Sequence, residues 1–596
     1  MKNTLKIEGL IALFLFVALW LYLTLRAVYV PMVHDELVTV HAYMLSGKWF
    51  PFSGYVDANN HLLNSALGSF FISLFGFKNY LIPRLPNLLA FPLFFWSLWF
   101  LGKELFQNKF LKWGCILVLC FTPYFLEFFA LARGYGLSMG WFMVSLLGLV
   151  KFQKQLSTKW LWVTSLAIVG ALLSNLTLIF VGGGILVLLG LVMVISKQNK
   201  ASSWAPIGLI ILTLGFVLWY GLQLQGEGKL YYGSDEGFFV LTINSLAKEL
   251  LHVEGNLVQI VIGILGLLVL IGFGIQLSKK LNTQNLKSNP WMIFPFLLLV
   301  AVAAILISNW VLGINFPEDR AALFLFPVFV LSFFTQVEHY IKTTWAKYGL
   351  SLLAMLFPLM LMANLNLSHS IFWKHDHIHQ KFVKTIDNFI KENEALPTMA
   401  GKIIHQSVWG QAGKEANLQL PSLQRYKNKT DTIADFHLVL LNRYPQLNNY
   451  YNVEFFDEIS GLSLVKRKSL LKRKLLAEKT IQKGKREDEF ISLWNNFSDS
   501  LAGKHIYLFV EGEIKRENFP SEMVMVSQDQ AIDGANTYYE VYGYDMMLNP
   551  QEDNVKLGMY IPSVENPKGA GFYLWNKEKF PLEINNLKLR LYTLEP

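Results

Sequence analysis

Apolar residues form long, nearly uninterrupted runs through the first 366 residues of the chain and only short runs after them. A helix of ~20 apolar residues is long enough to cross the ~30 Å hydrocarbon layer of a membrane. The pattern therefore predicts a polytopic α-helical membrane protein with about 11–13 transmembrane helices. Eleven runs stand out: 9–30, 85–101, 113–131, 137–150, 160–175, 177–195, 204–222, 256–277, 291–310, 321–336 and 348–366.

Two apolar segments need separate interpretation. Gly9–Val30 follows a short basic start and shows no small-residue cleavage site, so we expect an uncleaved first helix. His61–Phe77 is apolar enough to enter the membrane, but a full crossing there would invert the sidedness of every later loop. We therefore expect this segment to be interfacial or re-entrant.

The region after Asn366 has the composition of a soluble part. Lys374–Asn393 has the spacing of an amphipathic helix. Short strands of a small α/β unit are predicted at Lys402–Trp409, Phe436–Asn442 and Leu462–Lys466. Six later runs predict an all-β sandwich: His505–Glu511, Glu522–Ser527, Thr537–Tyr544, Lys556–Ile561, Gly571–Trp575 and Leu587–Tyr592.

These elements define four predicted parts of the chain. Residues 1–366 are the transmembrane domain, and residues 367–467 are a small periplasmic α/β region. Residues 468–489 are a basic linker, and residues 490–596 are a β-sandwich-like domain. The wider basic stretch Lys466–Arg486 is interpreted as a linker or an exposed helix.

The formal net charge of +9 lies entirely in the membrane half. Up to Asn366 there are 23 Lys+Arg and 14 Asp+Glu (23 − 14 = +9), and after it there are 29 of each. Lysines mark every second loop, as at Lys103, Lys151, Lys280 and Lys342, and acids mark the others. Positive-inside sorting then predicts a bacterial inner-membrane protein with a cytoplasmic N-terminus and a periplasmic C-terminal region. This topology accounts for the basic pI, so no nucleic-acid partner is expected.

The first candidate for chemistry is the sequence His34, Asp35 and Glu36, just beyond the first helix on the predicted outer face. Paired acids at a membrane boundary are costly to place and are often functional. A carboxylate there suits a general base that removes a proton from a hydroxyl. The alternative is that both acids are simply solvated loop residues.

The second candidate is the polar sequence Asp57, Asn60, His61 and Asn64, where the same outer loop returns to the membrane. Asn and His side chains can donate hydrogen bonds to phosphate oxygens or sugar hydroxyls. The alternative is a set of helix caps, since Asn is a favoured N-cap residue.

The arginines of the membrane half are the third candidate. All four (Arg26, Arg84, Arg133 and Arg320) fall at the predicted outer surface, where positive-inside sorting opposes them. A guanidinium can grip phosphate with two parallel hydrogen bonds, which a lysine cannot match. The alternative is that each arginine pairs with an outer acid, among Glu127, Glu318 and Asp319. Phosphate binding is favoured for Arg133 and Arg320, and an ion pair for Arg26.

Two other patterns are interpreted without a catalytic role. His375, His377 and His379 follow an i, i+2, i+4 pattern that places only the first and last on one helix face, so surface roles are favoured over metal binding. Gly182–Gly184 follows no strand, so helix packing is favoured over a phosphate loop.

Together, these residues resemble the GT-C superfamily of integral-membrane glycosyltransferases, and more narrowly the bacterial relatives of protein O-mannosyltransferases and lipid A aminoarabinose transferases. The resemblance covers roughly residues 3–366 and includes Arg84 with Pro86 and Arg133 with Tyr135. Relatives often have Lys-Pro-Pro or His-Pro-Pro where this chain has Asn60, His61 and Leu62.

The resemblance implies transfer of a sugar from a polyprenyl-phosphate donor to an acceptor hydroxyl on the outer face, with inversion at the anomeric carbon. It implies a catalytic base at Asp35 or Glu36. The residues implied in binding the donor phosphate or substrate are His34, Asn60, His61, Asn64, Arg84, Arg133, Tyr135 and Arg320. The expected partners are the lipid donor, membrane lipid, and a glycolipid, glycan or protein acceptor. A divalent metal is compatible with the reaction, but no ligand set in the sequence demands one.

Three other classes of protein share some of these features. A polysaccharide ligase or polymerase would use the same kind of donor without needing acids after its first helix. A lipid-linked sugar transporter would more often show internal repeats and ionisable residues near mid-membrane. A non-enzymatic sugar-binding membrane protein would rest on the C-terminal β region alone.

Overall fold

The computed structural model describes residues 2–197, 204–278, 289–393, 395–418, 420–425, 432–516, 523–543, 553–577 and 579–595. The chain folds into two compact units. The first comprises Met1–Pro31 and Gly47–Phe372, and the second comprises Met32–Ser46 and Trp373–Pro596. The predicted loop lysines Lys200, Lys279, Lys280 and Lys287 lie outside the described residues.

The α-helices are α1 (Lys2–Tyr29), α2 (His34–Thr39), α3 (Leu62–Phe75), α4 (Leu81–Leu105), α5 (Lys109–Phe121), α6 (Pro123–Glu127), α7 (Gly134–Gln155), α8 (Thr158–Ser174), α9 (Ile179–Ile195), α10 (Trp204–Gly226), α11 (Asn244–Leu251), α12 (Asn256–Leu277), α13 (Ile293–Leu312), α14 (Leu325–Tyr340), α15 (Thr344–Leu353), α16 (Leu356–Ala363), α17 (Gln380–Asn393) and α18 (Ile403–Glu415). All except α2, α17 and α18 belong to the first unit.

The strands are β1 (Met399–Gly401), β2 (Leu423–Arg425), β3 (Phe436–Val439), β4 (Tyr451–Phe456), β5 (Ser463–Arg467), β6 (Lys472–Ile481), β7 (Gly484–Arg486), β8 (Phe490–Asn495), β9 (His505–Arg516), β10 (Met523–Gln530), β11 (Asn536–Gly543), β12 (Asn554–Ile561), β13 (Gly571–Asn576) and β14 (Leu582–Glu595). All of them belong to the second unit.

The first unit has the helices of a multi-pass membrane protein. Among the described residues, eight helices are long and apolar enough to cross a membrane, or nine if the bent pair α5 and α6 counts as one span. All eleven predicted runs contain a helix, but α8 has 17 residues and α14 has 16. The predicted 11–13 crossings therefore exceed the number that helix length supports, because the apolar pattern does not show where such short helices end.

The bend between α5 and α6 has a local cause. Thr122 has an extended backbone, and Pro123 follows it at the first position of α6. A proline has no N–H to donate to the preceding turn and its ring crowds that turn, so it can kink or end a helix. The two axes differ by 61°.

Charged side chains mark the two ends of the helices in the first unit. Glu8 lies near the start of α1, and its carboxylate lies 2.7 Å from Lys112 Nζ at the start of α5. In the same way, Lys154 Nζ at the end of α7 lies 2.7 Å from Glu104 at the end of α4. Arg26 lies at the other end of α1, so the lysine-rich and arginine-bearing ends are opposite, as the alternation of loops predicts.

The segment that includes α3 enters and leaves at the arginine-bearing end. Asn64, near the start of α3, donates to the carbonyl of Ala132 just before α7 (3.3 Å). Arg84, near the start of α4, donates to the carbonyl of Val30 at the end of α1 (2.8 Å). α3 has 14 residues, or ~21 Å of helix, which is shorter than the ~30 Å hydrocarbon layer. This geometry agrees with the predicted re-entrant segment.

A mixed sheet forms the first part of the second unit. Its strand order is β2-β1-β3-β5-β4, with β1 parallel to β2 and β3, and with β5 antiparallel to its two neighbours. The amphipathic helix predicted at Lys374–Asn393 is α17, and its Phe382 and Ile386 pack into the core around Trp409.

One predicted strand of this region is wrong. Lys402–Trp409 is the beginning of α18, and the strand is the shorter β1 just before it. The run from His405 to Trp409 is buried at every position, and a short, fully buried run cannot be assigned to helix or strand by its periodicity.

Two antiparallel sheets form the rest of the second unit. One has the order β11-β10-β13-β8, and the other has the order β12-β9-β14-β6 with β7 also paired to β14. Their facing apolar side chains form one core that includes Leu493, Leu508, Met525 and Leu589. The β-sandwich predicted from the six strand-like runs therefore forms.

The basic stretch Lys466–Arg486 is neither a linker nor a helix. It contains β6 and β7, both paired with β14. β6 lies at the edge of its sheet and most of its side chains are exposed, so its sequence is rich in charge and carries little apolar alternation.

Candidate functional site

The acidic motif after the first helix forms α2 and lies in the second unit. Glu36 is fully buried, and its carboxylate accepts a hydrogen bond from the backbone N–H of Val33 (3.3 Å). Asp35 is partly exposed. Glu36 therefore closes the first turn of the helix, and the role of Asp35 as a base stays a prediction.

His34 is held by residues of the same unit. Its backbone N–H donates to Asp376 Oδ2 (2.7 Å), and its Nδ1 lies 2.6 Å from Ser407 Oγ on α18. The start of α2 is thereby fixed to the α/β part of the second unit. These contacts hold the start of the motif in place. The contact of His34 with substrate stays a prediction.

A second group of predicted residues lies together in the first unit. The rings of His61 and Tyr135 meet edge to face, with centroids 4.7 Å apart. The guanidinium of Arg133 lies over the same Tyr135 ring, 5.7 Å from its centroid, and donates to Asn59 Oδ1. Arg133 is only 2% exposed, and a guanidinium so deeply buried is costly unless it is solvated by polar groups. We name these four residues the Arg133 cluster.

Gly134 explains how this cluster forms. A Cβ atom at this position would lie 2.6 Å from the side chain of His61 and would also meet the carbonyl of Ser174. Only glycine lets the backbone approach this closely. The sequence Arg133, Gly134 and Tyr135 therefore surrounds the His61 ring at the start of α7.

Arg320 lies in a third group, the Arg320 cluster, made with Asp319, Tyr232 and Phe372. Its guanidinium donates to the hydroxyl of Tyr232 (2.7 Å) and stacks on that ring at 4.3 Å from the centroid. The Tyr232 hydroxyl donates in turn to Asp319 Oδ2 (2.5 Å), and Phe372 lies on another side of the guanidinium at 5.6 Å. The predicted ion pair with Asp319 is present but long, at 3.6 Å.

Two ionisable residues in and around this cluster, Tyr232 and Glu318, have raised pKa values. Burial, together with the neighbouring Asp319 carboxylate, holds the pKa of Tyr232 well above its usual range, so the phenol stays protonated and can donate. Burial and Asp319 also raise the pKa of Glu318, and Arg320 partly offsets this. Tyr135 contributes to the raised pKa of Tyr232.

A chain of ring contacts connects the two clusters within the first unit. Tyr135 packs on Phe128 (centroids 5.0 Å apart), Phe128 packs on Tyr124 (5.2 Å), and Tyr124 packs on Phe372 of the Arg320 cluster (5.2 Å).

Three other predicted residues make contacts that hold helices together. Arg84 is fully buried and donates to the carbonyls of Arg26, Ala27, Val30 and Pro31 at the end of α1. It thus satisfies the carbonyls that a helix end leaves unpaired, and we do not include it in the proposed donor site.

The two predicted asparagines of the polar motif, Asn60 and Asn64, are also hydrogen-bonded to neighbouring residues. Asn64 accepts from Asn87 Nδ2 (2.7 Å), and Asn87 accepts from the N–H of Leu137 (2.7 Å). Asn60 donates to the carbonyl of Trp49 (2.9 Å). These bonds tie the outer loop and α3 to the helices around them.

Arg26 forms the ion pair that the sequence favoured for it. Its guanidinium lies 2.5 Å from Glu127, and both side chains are buried. Glu127 also accepts from the backbone N–H groups of Ile371 and Phe372. The carboxylate of Glu127 therefore joins Arg26 to the backbone of Ile371 and Phe372.

Asn59 and Tyr232 belong to the clusters but were not among the predicted site residues. Asn59 lies between Asp57 and Asn60 of the predicted polar motif, so the sequence did indicate this part of the site. Tyr232 lies 88 residues before Arg320 in the chain, and only the fold brings the two together. Among the described residues, no three His, Cys, Asp or Glu side chains could hold a metal ion.

Comparison with known proteins gives structural likeness only. No protein-family model and no curated protein matches the chain. The chain is similar in structure to the arabinosyltransferase EmbB from Mycobacterium smegmatis (TM-score 0.34, 10% identity), over 98% of this chain and 64% of EmbB. The chain therefore spans less than two thirds of the length of EmbB.

Two further likenesses have similar strength. One is to ArnT from Cupriavidus metallidurans, solved bound to undecaprenyl phosphate (TM-score 0.39, 12% identity), over 77% of this chain and 97% of ArnT. The other is to the oligosaccharyltransferase from Archaeoglobus fulgidus (TM-score 0.39, 8% identity), over 96% of each chain. At these scores, the likeness transfers no activity, substrate or residue role.

Proposed function

We propose that this protein is a membrane glycosyltransferase that moves a sugar from a polyprenyl-phosphate-linked donor to an acceptor hydroxyl on the outer face of the membrane. The observation that carries the proposal is that Arg133 and Arg320, each over a tyrosine ring, belong to two clusters of the first unit that a chain of aromatic ring contacts connects. Guanidinium and phenol groups together recognise phosphate oxygens. A lipid-linked phosphate would reach such a site with its chain among the helices.

The reaction we propose is a single displacement. An acceptor hydroxyl attacks the anomeric carbon while the bond from that carbon to the phosphate oxygen breaks, and the electron pair leaves on the phosphate. Arg133 and Arg320 stabilise the charge that develops there. The hydroxyl proton passes to the carboxylate of Asp35, and the anomeric carbon is inverted.

Asp35 is preferred over Glu36 as the base for a structural reason. A base must reach the proton it removes, and Glu36 is fully buried with its carboxylate turned to the Val33 N–H. Asp35 is partly exposed and lies directly after the first membrane helix.

The rival transporter is disfavoured by where the charges lie. A transporter would place ionisable residues near the middle of its spans. In the described helices of the first unit, the charged side chains lie near the two ends, as with Glu8 and Arg26 of α1 or Arg84 and Glu104 of α4. The polymerase or ligase remains an alternative, and it would differ in not needing Asp35.

The activity is tested in cells. Mass spectrometry of glycolipids, glycans and glycoproteins from deletion and wild-type cells should reveal one modified acceptor that is lost on deletion and restored by the intact gene. Restoration by the Asp35→Asn gene would contradict the assignment of Asp35 as the base. Identical glycan profiles in the two strains would contradict the proposed activity.

The orientation of the membrane domain is also a proposal. It rests on the alternation of lysine-bearing and acidic loops and on the separation of the two kinds of end in the first unit. Reporter fusions after Arg320 and after Pro596 should both give a periplasmic signal, and a fusion near Lys280 should give a cytoplasmic one. Reversed signals at any of these positions would overturn the sidedness of the proposed site.

A further inference from the structure

A buried tyrosine faces the Arg320 cluster and has not been used so far. Tyr124 lies on α6, just after the bend from α5, and its side chain is almost fully inaccessible (1% exposed). Its ring packs between those of Phe128 and Phe372, with both centroids 5.2 Å away. Its hydroxyl has no hydrogen-bond partner among the described residues.

Although its ring packs on Phe128 and Phe372, the hydroxyl of Tyr124 has charged groups nearby. Asp319, Arg320, Glu249 and Tyr232 all act on it electrostatically. Phe372 touches the Tyr124 ring on one side and the Arg320 guanidinium on another, with its centroid 5.6 Å from the latter. The hydroxyl therefore belongs to the Arg320 cluster, although Tyr124 precedes Arg320 by nearly two hundred residues.

An unpaired buried hydroxyl is costly to the folded protein, because nearly all buried polar groups in native structures find a partner. Phenylalanine would fill the same space without that cost. Tyr232 does not present the same problem, since its hydroxyl donates to Asp319 and accepts from Arg320. Tyr232 thus orients the arginine, whereas the Tyr124 hydroxyl is left to bind something else.

We propose that the Tyr124 hydroxyl donates a hydrogen bond to the phosphate of the lipid donor, beside the guanidinium of Arg320. This inference rests on the proposed function. A phenol is a donor at neutral pH, so an anionic oxygen is a partner that fits it, and Arg320 offsets the negative charge of Asp319 and Glu249 nearby. Tyr124 is then a binding residue, with no part in bond making or breaking.

The test is Tyr124→Phe in the full-length protein in nanodiscs, with polyprenyl phosphate as the probe. Loss of a hydrogen bond to a charged group should weaken binding about 10- to 100-fold. The thermal midpoint should stay the same or rise, because the substitution removes an unpaired buried hydroxyl. A merely structural hydroxyl would produce the opposite pattern.

Tyr340→Phe is the matched control. Its hydroxyl donates to the carbonyl of Gly272 (2.5 Å) at the lysine-bearing end of the helices. Its loss should lower the thermal midpoint and leave the affinity for polyprenyl phosphate unchanged. Inorganic phosphate as a competitor separates the headgroup from the lipid chain, since weakened competition in Tyr124→Phe places the contact at the phosphate.

Three results would overturn the inference, and they differ in what they imply for the proposed donor site. If Arg320→Lys weakens binding but Tyr124→Phe does not, the Tyr124 contact fails and the donor site stands. If neither weakens binding, the proposed donor site fails as well. A lower thermal midpoint in Tyr124→Phe with unchanged affinity would show that a buried water satisfies the hydroxyl, which also overturns the inference.

Discussion

Replacing Asp35 by Asn should lower turnover by about 10²- to 10⁴-fold, the usual contribution of a general base. Asn keeps the size of the side chain but cannot take the proton from the acceptor hydroxyl. Since Asp35 is partly exposed on α2, the variant should insert and extract like the wild type. Binding of polyprenyl phosphate should be unchanged, because the base acts on the acceptor. Turnover of a purified donor by protein in nanodiscs is the measurement.

Glu36→Gln is the control for this prediction. Gln keeps an oxygen that can accept from the Val33 N–H, so the first turn of α2 should be preserved and turnover should change little. Full activity of Asp35→Asn together with a large loss in Glu36→Gln would move the base to Glu36. Full activity of both would remove the motif from the mechanism.

Lysine in place of Arg133 or Arg320 should weaken donor binding by about 10- to 100-fold while the protein remains folded. Lysine keeps the positive charge but loses the planar fork that binds two phosphate oxygens. It also loses the stacking that Arg320 makes on Tyr232 and that Arg133 makes on Tyr135. Affinity for polyprenyl phosphate and thermal stability should be measured on the same samples.

Arg26→Lys is the matched variant, since its arginine is also buried at the same end of the helices. Arg26 is paired with Glu127 and donates to the carbonyl of Asn366 (2.8 Å). Lysine there should cost ~1–3 kcal/mol of stability through lost hydrogen bonds to buried groups and should leave the affinity unchanged. Unchanged affinity in both Arg133→Lys and Arg320→Lys would contradict the phosphate site and leave their role to stability.

The arginines also show what the residue type can and cannot predict. The sequence placed all four at one side of the membrane, and Arg26 proved to be the one with a buried acidic partner, as favoured. For Arg84, the same chemistry gave no warning that it would close the end of α1. A guanidinium satisfies carbonyls and phosphates with the same donors, so only the fold shows which of them it meets.

In the region after Asn366, the predicted elements form where apolar and polar residues alternate over a whole strand. They are wrong where the run is too short to show its period. The sandwich strands form near their predicted positions. The sequence predicts a strand at the start of α18. The residues His405–Trp409 are all buried, so apolar and polar positions do not follow the helical period there. The sequence predicts a linker at β6 because this strand lies at the edge of its sheet. Most of its side chains are exposed to solvent and can therefore be charged.

The sequence alone determined the membrane class, the alternation of loops and the β-sandwich, since each follows from local hydrophobicity and the period of side chains along an element. It also selected the motifs around Asp35, His61, Arg133 and Arg320. Only the tertiary structure decided that Tyr232 meets Arg320. It also decided that Met32–Ser46 folds with the C-terminal unit. Such contacts join residues far apart in the chain, and their free energy comes from burial and pairing that no local pattern records.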